Sequence, residues 1–236
     1  MSLWGSIKNA VKKVVRAVKG AVRVLVRAAI TIVNAVTFGL PDLLLGFLAW
    51  PAKRLRLHVF VIMVDDKPVA STSEVMTAVD AARQIYKNGF NVNIEPYAES
   101  FVQILTDPAP PSVVDYECGW PGLGSEFGEA GTFFAGHIAG WNAVPISLTF
   151  PVTVFVVKTL KSGDLGCSLS VIGDYVVIAA PGLKDHVALA HEVGHTCGLW
   201  HSGDHTNLMY FQSPAGEGTK WFQRNILRSS RHVQYW

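Results

Sequence analysis

Eleven residues near the C-terminal end, His191-Glu192-Val193-Gly194-His195-Thr196-Cys197-Gly198-Leu199-Trp200-His201, leave the backbone few choices. His191 and His195 are four apart, so on a helix both imidazoles face one side, a single turn from each other. The residues from about Asp185 onward are apolar enough to place that helix in a core. Gly198 is the natural end of it, because glycine accepts the positive φ that residues with a Cβ resist. The turn it permits brings His201 back as a third nitrogen. Three neutral imidazoles on one Zn2+ leave a coordination position open for water, which is the ligand set of a catalytic rather than a structural site. One zinc ion held by His191, His195 and His201 is therefore expected.

Glu192 follows His191 directly, so it cannot point the same way as the ligands. It sits beside the open position, where a carboxylate can take a proton from a metal-activated water and pass it to a leaving amine. Hydrolysis of a peptide bond is the chemistry this suits. Eight residues after His201 comes Met209, in Asn207-Leu208-Met209-Tyr210, where a tight turn would set the methionine beneath the ligands. The bland alternative is a group of core histidines satisfied by hydrogen bonds. It leaves the joint presence of Glu192, Gly198 and Met209 unexplained. His58, His137, His186, His205 and His232 carry no such spacing and are read as structural or solvent-facing.

The pattern H-E-x-x-H-x-x-G-x-x-H followed by a methionine turn resembles the metzincin metallopeptidases. Ser202 after the third histidine, the spacing to Met209 and the following Tyr210 look most like the matrixin branch, with reprolysin-like bacterial peptidases as near relatives. The resemblance implies an α+β zincin domain: a mixed twisted sheet over a long active-site helix, with substrate aligned antiparallel to an edge strand. It also implies His191, His195 and His201 as zinc ligands, Glu192 as general base and Met209 as the structural turn residue. Tyr210 to Pro214 would wall the substrate pocket, and the edge strand would lie around Cys167 to Ile172. The chain holds no paired Asp-rich loops of the kind that bind structural calcium, so neither calcium nor a second zinc is expected. Glu117-Cys118-Gly119-Trp120-Pro121-Gly122 faintly resembles the thiol segment that masks zinc in matrixin precursors, but it lacks the preceding Arg and lies inside the domain. A bridge from Cys118 to Cys167, or a buried free thiol, is the preferred reading of Cys118.

Upstream of this motif the hydrophobic period changes several times. Ser6 to Val36 repeats every three or four residues, with Lys8, Lys12, Arg16, Lys19, Arg23 and Arg27 in one stripe opposite Val11, Val14, Val18, Val22 and Leu25. Phe38-Gly39-Leu40-Pro41 ends that helix, and Asp42 is expected to cap a short one running to Leu48. Leu55 to Val64 is a β-branched and aromatic run that fits a buried strand. A helix from Ser71 or Ser73 closed by Asn88-Gly89, and strands at 90–94, 101–105, 151–160, 168–172 and 175–180, follow. The stretch 107–150 reads as loop, and a last helix spans 219–229. Two units result: residues 1–52, a basic amphipathic helix with an apolar elbow, and residues 53–236, the metzincin-like domain.

The formal net charge of +2 conceals a division. Ten Lys or Arg and one acid lie in residues 1–56, against ten and seventeen in the remainder. An acidic remainder argues against a nucleic-acid-binding core, and the basic stripe lacks the aromatics that stack on bases. Basic residues recur where a secretory signal needs an apolar run, so no signal peptide reads cleanly, and a secreted or membrane-associated location is favoured. Residues 28–52 lack Lys and Arg, but Asn34, Gly39 and Pro41-Asp42 interrupt them, which argues against a simple membrane span. The first 52 residues are expected to meet an anionic membrane surface, to pack on the peptidase domain or on a copy of the chain, or to be a removable segment. Protein or peptide is the expected substrate of the remainder. The alternative for the whole is a membrane-active or assembly-forming protein that carries the peptidase domain as cargo.

Overall fold

The computed structural model describes residues 3–34, 39–118, 127–138, 151–168 and 174–235. The expected helix end at Val36 to Phe38, residues 119–122 of the cysteine segment and residues 169–172 of the expected edge strand lie outside them. Seven α-helices are present among the described residues. The first, α1, is a single run from Leu3 to Asn34. It is followed by α2 (Leu40–Leu45) and a short 3-10 turn, Gly46–Leu48.

The long β-branched run becomes β1 (Lys53–Val61), the spine of the sheet. A small hairpin of β2 (Met63–Val64) and β3 (Lys67–Pro68) leads to α3 (Thr72–Phe90). Ser71 opens α3 through a capping box: its hydroxyl accepts from the Glu74 amide while the Glu74 carboxylate accepts from the Ser71 amide. The helix does not stop at Asn88-Gly89. It runs on to bury Phe90 and ends at Asn91, whose φ of 51° is left-handed. Gly89 stays helical because its bare face lies against Thr219, where a Cβ would meet the Thr219 methyl at 2.8 Å.

The chain continues through β4 (Val92–Pro96), β5 (Val102–Ile104), α4 (Pro111–Val114), β6 (Asp115–Tyr116) and α5 (Glu129–His137). Short helices thus stand in the segment expected to be loop. Next come β7 (Val152–Val157), β8 (Thr159–Leu160), β9 (Gly166–Ser168) and β10 (Tyr175–Ala179). A 3-10 turn (Ala180–Lys184), α6 (Ala188–Thr196), α7 (Trp221–Ser229) and β11 (Val233–Gln234) complete it.

The main sheet has the order β11-β1-β7-β10-β9, with β4 and β5 in succession along the other edge of β1. β1 pairs in parallel with β4, β5 and β7, and β7 with β10; among the described residues only β11 and β9 join this sheet antiparallel. The sheet is mixed, as expected, yet mostly parallel, because helices separate most of its strands along the chain and return it to the same end. The architecture is therefore mixed α/β in its centre, more intermingled than an α+β arrangement implies. Leu55, Leu57, Val59 and Val61 of β1 face α3 and α6, and Phe60, Phe155 and Tyr175 face Phe134 of α5. Burial on both faces explains why β7 and β10 read as unbroken apolar runs.

Asp42 does not cap α2, which begins at Leu40 after Gly39 with no side-chain cap. Its carboxylate turns inward and accepts from Lys53 Nζ at 2.8 Å and Tyr235 Oη at 2.7 Å, with Arg228 Nε at 3.4 Å. Arg228 is fully buried and also donates to the carbonyls of Phe90 and Pro51. Two buried cations need an anion more than a two-turn helix needs a cap, and burial already presses the Lys53 ammonium below its ordinary pKa. Asp42→Ala leaves both cations uncompensated, so it is expected to cost about 3–5 kcal/mol. Thermal unfolding followed by circular dichroism should show a melting temperature lower by roughly 10 °C.

Candidate metal centre

α6 is held from behind by α3. Leu189, Ala190 and Val193 are buried against it, and the Tyr86 hydroxyl donates to the Ala190 carbonyl at 3.2 Å. At its start the Asp185 carboxylate accepts from the Val187 amide at 3.0 Å and from the Ser213 hydroxyl. At its end Gly198 takes a φ of +94°, and the Leu199 amide closes on the Gly194 carbonyl at 2.9 Å. The helix is nine residues long, shorter than the resemblance implies, because it begins only at Ala188, after the 3-10 turn Ala180–Lys184.

The histidines come together. His195 Nε2 lies 3.0 Å from His191 Nε2 and 3.0 Å from His201 Nε2. The tautomers are decided on the opposite ring edges: His191 Nδ1 is 2.8 Å from the Leu208 carbonyl and His195 Nδ1 is 2.8 Å from the Leu199 carbonyl. A carbonyl only accepts, so each Nδ1 carries the proton and each Nε2 is left with a lone pair. Two such lone pairs facing one another repel, and a shared cation relieves this. Nitrogens about 2.0–2.1 Å from a tetrahedral zinc stand roughly 3.3 Å apart, slightly wider than found here. The donor set thus fits zinc. Withdrawal from water holds His195 down to about 4, with the neighbouring His191 adding to the effect, and lowers His191 as well. Both rings are neutral at physiological pH, as ligands must be.

Met209 is fully buried, and a Cβ on Gly194 would lie 2.8 Å from its sulfur. The motif's inner glycine is therefore the seat of the methionine. The turn is secured by the Ser202 amide donating to the Met209 carbonyl at 2.6 Å. Asn207 also secures it, its Oδ1 accepting from the Met209 amide at 3.0 Å while its side-chain amide pairs with Gln223.

Glu192 lies beside the three histidines in a cleft of about 650 Å³ that all of them line. Gly166 of the edge strand β9 makes room for it: a Cβ there would meet Glu192 Cγ at 2.5 Å. Burial lifts the Glu192 carboxyl to about 8, with the charge of Asp164 adding to the rise. A bound dication opposes that rise by favouring the anion. Tyr210, Phe211, Gln212 and Ser213 also line the cleft, whereas Pro214 does not and Ala215 does. Cys118 is joined to Cys167 of β9, which takes its sulfur out of reach of any masking role. His137 pairs with Asp107 and His186 with Glu217, away from the centre.

No protein-family model matches the chain, and no curated protein sequence does. Among solved structures, metalloproteinase-II from Bacteroides fragilis is similar at a TM-score of 0.51 and 14% identity, over 75% of this chain and 53% of that one. The fold is zincin-like. Archaemetzincin from Methanopyrus kandleri aligns at a TM-score of 0.46 and 13% identity, over 75% of this chain and 95% of that one. The chain spans about half the length of the Bacteroides metalloproteinase.

Sequence reasoning did not find Gly166, Asn207, Gln223, Asp164 or the two orienting carbonyls. Carbonyls leave no side-chain signature, and Gly166 has meaning only once Glu192 is seen against it. The site predicts that the metal-free chain takes up one zinc. At pH 7 it should release about one proton on doing so, because Glu192 begins protonated and the two neutral rings give up nothing at Nε2. Isothermal titration in two buffers of different ionisation enthalpy measures this, and Glu192→Gln should keep the zinc while reducing the release.

Proposed function

We propose that this chain is a zinc-dependent endopeptidase of metzincin type, nearest the matrixin branch, acting on protein or peptide substrates. The observation that carries the reading is the convergence of three imidazoles, two of them left with Nε2 lone pairs by backbone carbonyls, within a cleft that also holds Glu192. His191, His195 and His201 would hold the ion. When bound, zinc supplies Lewis acidity that polarises a carbonyl and acidifies a water molecule.

The remaining tasks fall to the chain. Glu192, seated against Gly166, is positioned to accept a proton and hand it to the leaving amine, and an amide in its place accepts none. Among the described residues β9 is the outermost strand of the sheet path, and it contributes Gly166, Cys167 and Ser168 to the cleft wall. Its outer edge suits an extended peptide added as a further strand, with main-chain hydrogen bonds giving affinity whatever the side chains. The disulfide from Cys167 to Cys118 braces that strand. Tyr210 and its successors to Ser213 form the facing wall, which selects the residue beyond the cleaved bond.

Turnover of an unstructured protein such as casein, and of fluorogenic peptides, tests the reading. Glu192→Gln should lower kcat by about 100-fold or more with zinc content unchanged. Gly166→Ala should lower it by a smaller factor, since its methyl displaces the Glu192 side chain but leaves the ligands untouched. Equal turnover by wild type and Glu192→Gln would refute the assignment.

A further inference from the structure

Two apolar surfaces in the first fifty residues lack a cover among the described residues. On α1, Val11, Val14, Val18, Val22, Leu25 and Ile32 are each between 52% and 69% exposed. Their spacing puts them in one stripe about 30 Å long. Lys8, Lys12, Lys13 and Lys19 are exposed along the adjoining face, and Leu3 to Asn34 contains no acid. No described helix is long and apolar enough to cross a membrane. The second surface is the ridge of α2 and the turn after it, where Leu44, Leu45, Leu48 and Trp50 are 64%, 58%, 60% and 80% exposed.

The ridge is not a displaced piece of core. Its inner side is fastened by polar contacts: Asp42 to Lys53, Arg228 and Tyr235, and the Leu43 carbonyl to Asn225 Nδ2 at 2.9 Å. Gly46 presses on α7 so closely that a Cβ would lie 2.9 Å from Asn225 Cα. With the inner side satisfied in this way, the leucines and Trp50 are fixed pointing outward.

We propose that α1 and the Leu40 to Trp50 ridge dock this chain on the surface of a membrane rich in anionic lipid. α1 lies in the headgroup plane with its apolar stripe down and its lysines against lipid phosphates and carboxylates, while the ridge inserts Leu44, Leu48 and Trp50. Charge chooses this occupant. A second copy packed stripe to stripe would set two acid-free basic rows beside each other with nothing to neutralise them. Nucleic acid would satisfy the cations but leave both apolar surfaces in water. Anionic lipid answers both at once, and high amphipathicity with low overall hydropathy is the property of a helix that lies on a bilayer. The proposal does not depend on the hydrolytic reading.

The test is co-sedimentation of the full chain with phosphatidylserine–phosphatidylcholine vesicles, with phosphatidylcholine vesicles, and a parallel titration with duplex DNA. Binding to the serine-containing vesicles should weaken with salt, and replacing Lys8, Lys12, Lys13 and Lys19 by Gln should weaken it roughly 1,000-fold. Leu44→Ser with Leu48→Ser should weaken it by about 10-fold or more. Both variants should keep the wild-type melting temperature and zinc content, since these side chains are exposed. Equal affinity for the two vesicle types, insensitivity to either variant, equal or tighter binding to DNA, or a stable dimer that binds no vesicle would each overturn the proposal.

Discussion

The centre of this molecule is governed by two ordinary hydrogen bonds from imidazole to backbone. By accepting from Nδ1 of His191 and His195, the carbonyls of Leu208 and Leu199 oblige both rings to present lone pairs to the same point. The arrangement is unfavourable until a cation occupies that point, and much of the surrounding architecture maintains it. The Leu199 carbonyl is in place because Gly198 adopts a positive φ, and the Leu208 carbonyl because the Asn207–Tyr210 turn is tied to Ser202 and Gln223. Gly194 seats Met209 between these two anchors, so the methionine sets the spacing of helix and turn without touching chemistry. The geometry of the three histidines is thus a property of loops locked to one short helix, itself fixed by α3 through Tyr86.

A second buried polar device connects distant parts of the chain. Arg228 reaches the end of α3, the carbonyl of Pro51 and the carboxylate of Asp42, and so draws the apolar elbow, β1 and the last helix together. The elbow is thereby part of the same packed body, although its composition marks it as different. Its inner side serves folding and its outer side remains free for an encounter.

The convergence of the three histidines was legible because metal chemistry demands fixed residue types at helical spacing. His191, His195, Glu192, Gly198 and His201 each state a geometric need in one letter. Long elements were legible for a related reason: β7 and β10 are buried on both faces and read as nearly continuous apolar runs, and the second half of β1 does the same. What escaped notice depended on partners far away in sequence. Asp42 looked like a cap because the cations that claim it lie eleven and 186 residues further on, at Lys53 and Arg228. Asn88-Gly89 looked like a stop because Thr219, which fills the space beside Gly89, was out of view. α4 and α5 are too short for a period to emerge from a Pro- and Gly-rich background, and the mostly parallel sheet order is a property of crossings that no local pattern records.

Imidazole-only protein ligation by a pre-oriented triad is tested directly by X-ray absorption at the zinc edge of the zinc-loaded full chain. The predicted spectrum has a nearest shell of nitrogen and oxygen at about 2.0–2.1 Å, with the outer scattering of imidazole rings and no sulfur. A sulfur shell at about 2.3 Å would contradict it by making Cys197 a ligand, although burial pushes that thiol up to about 12. An ion that a chelating resin strips without effort would contradict it equally.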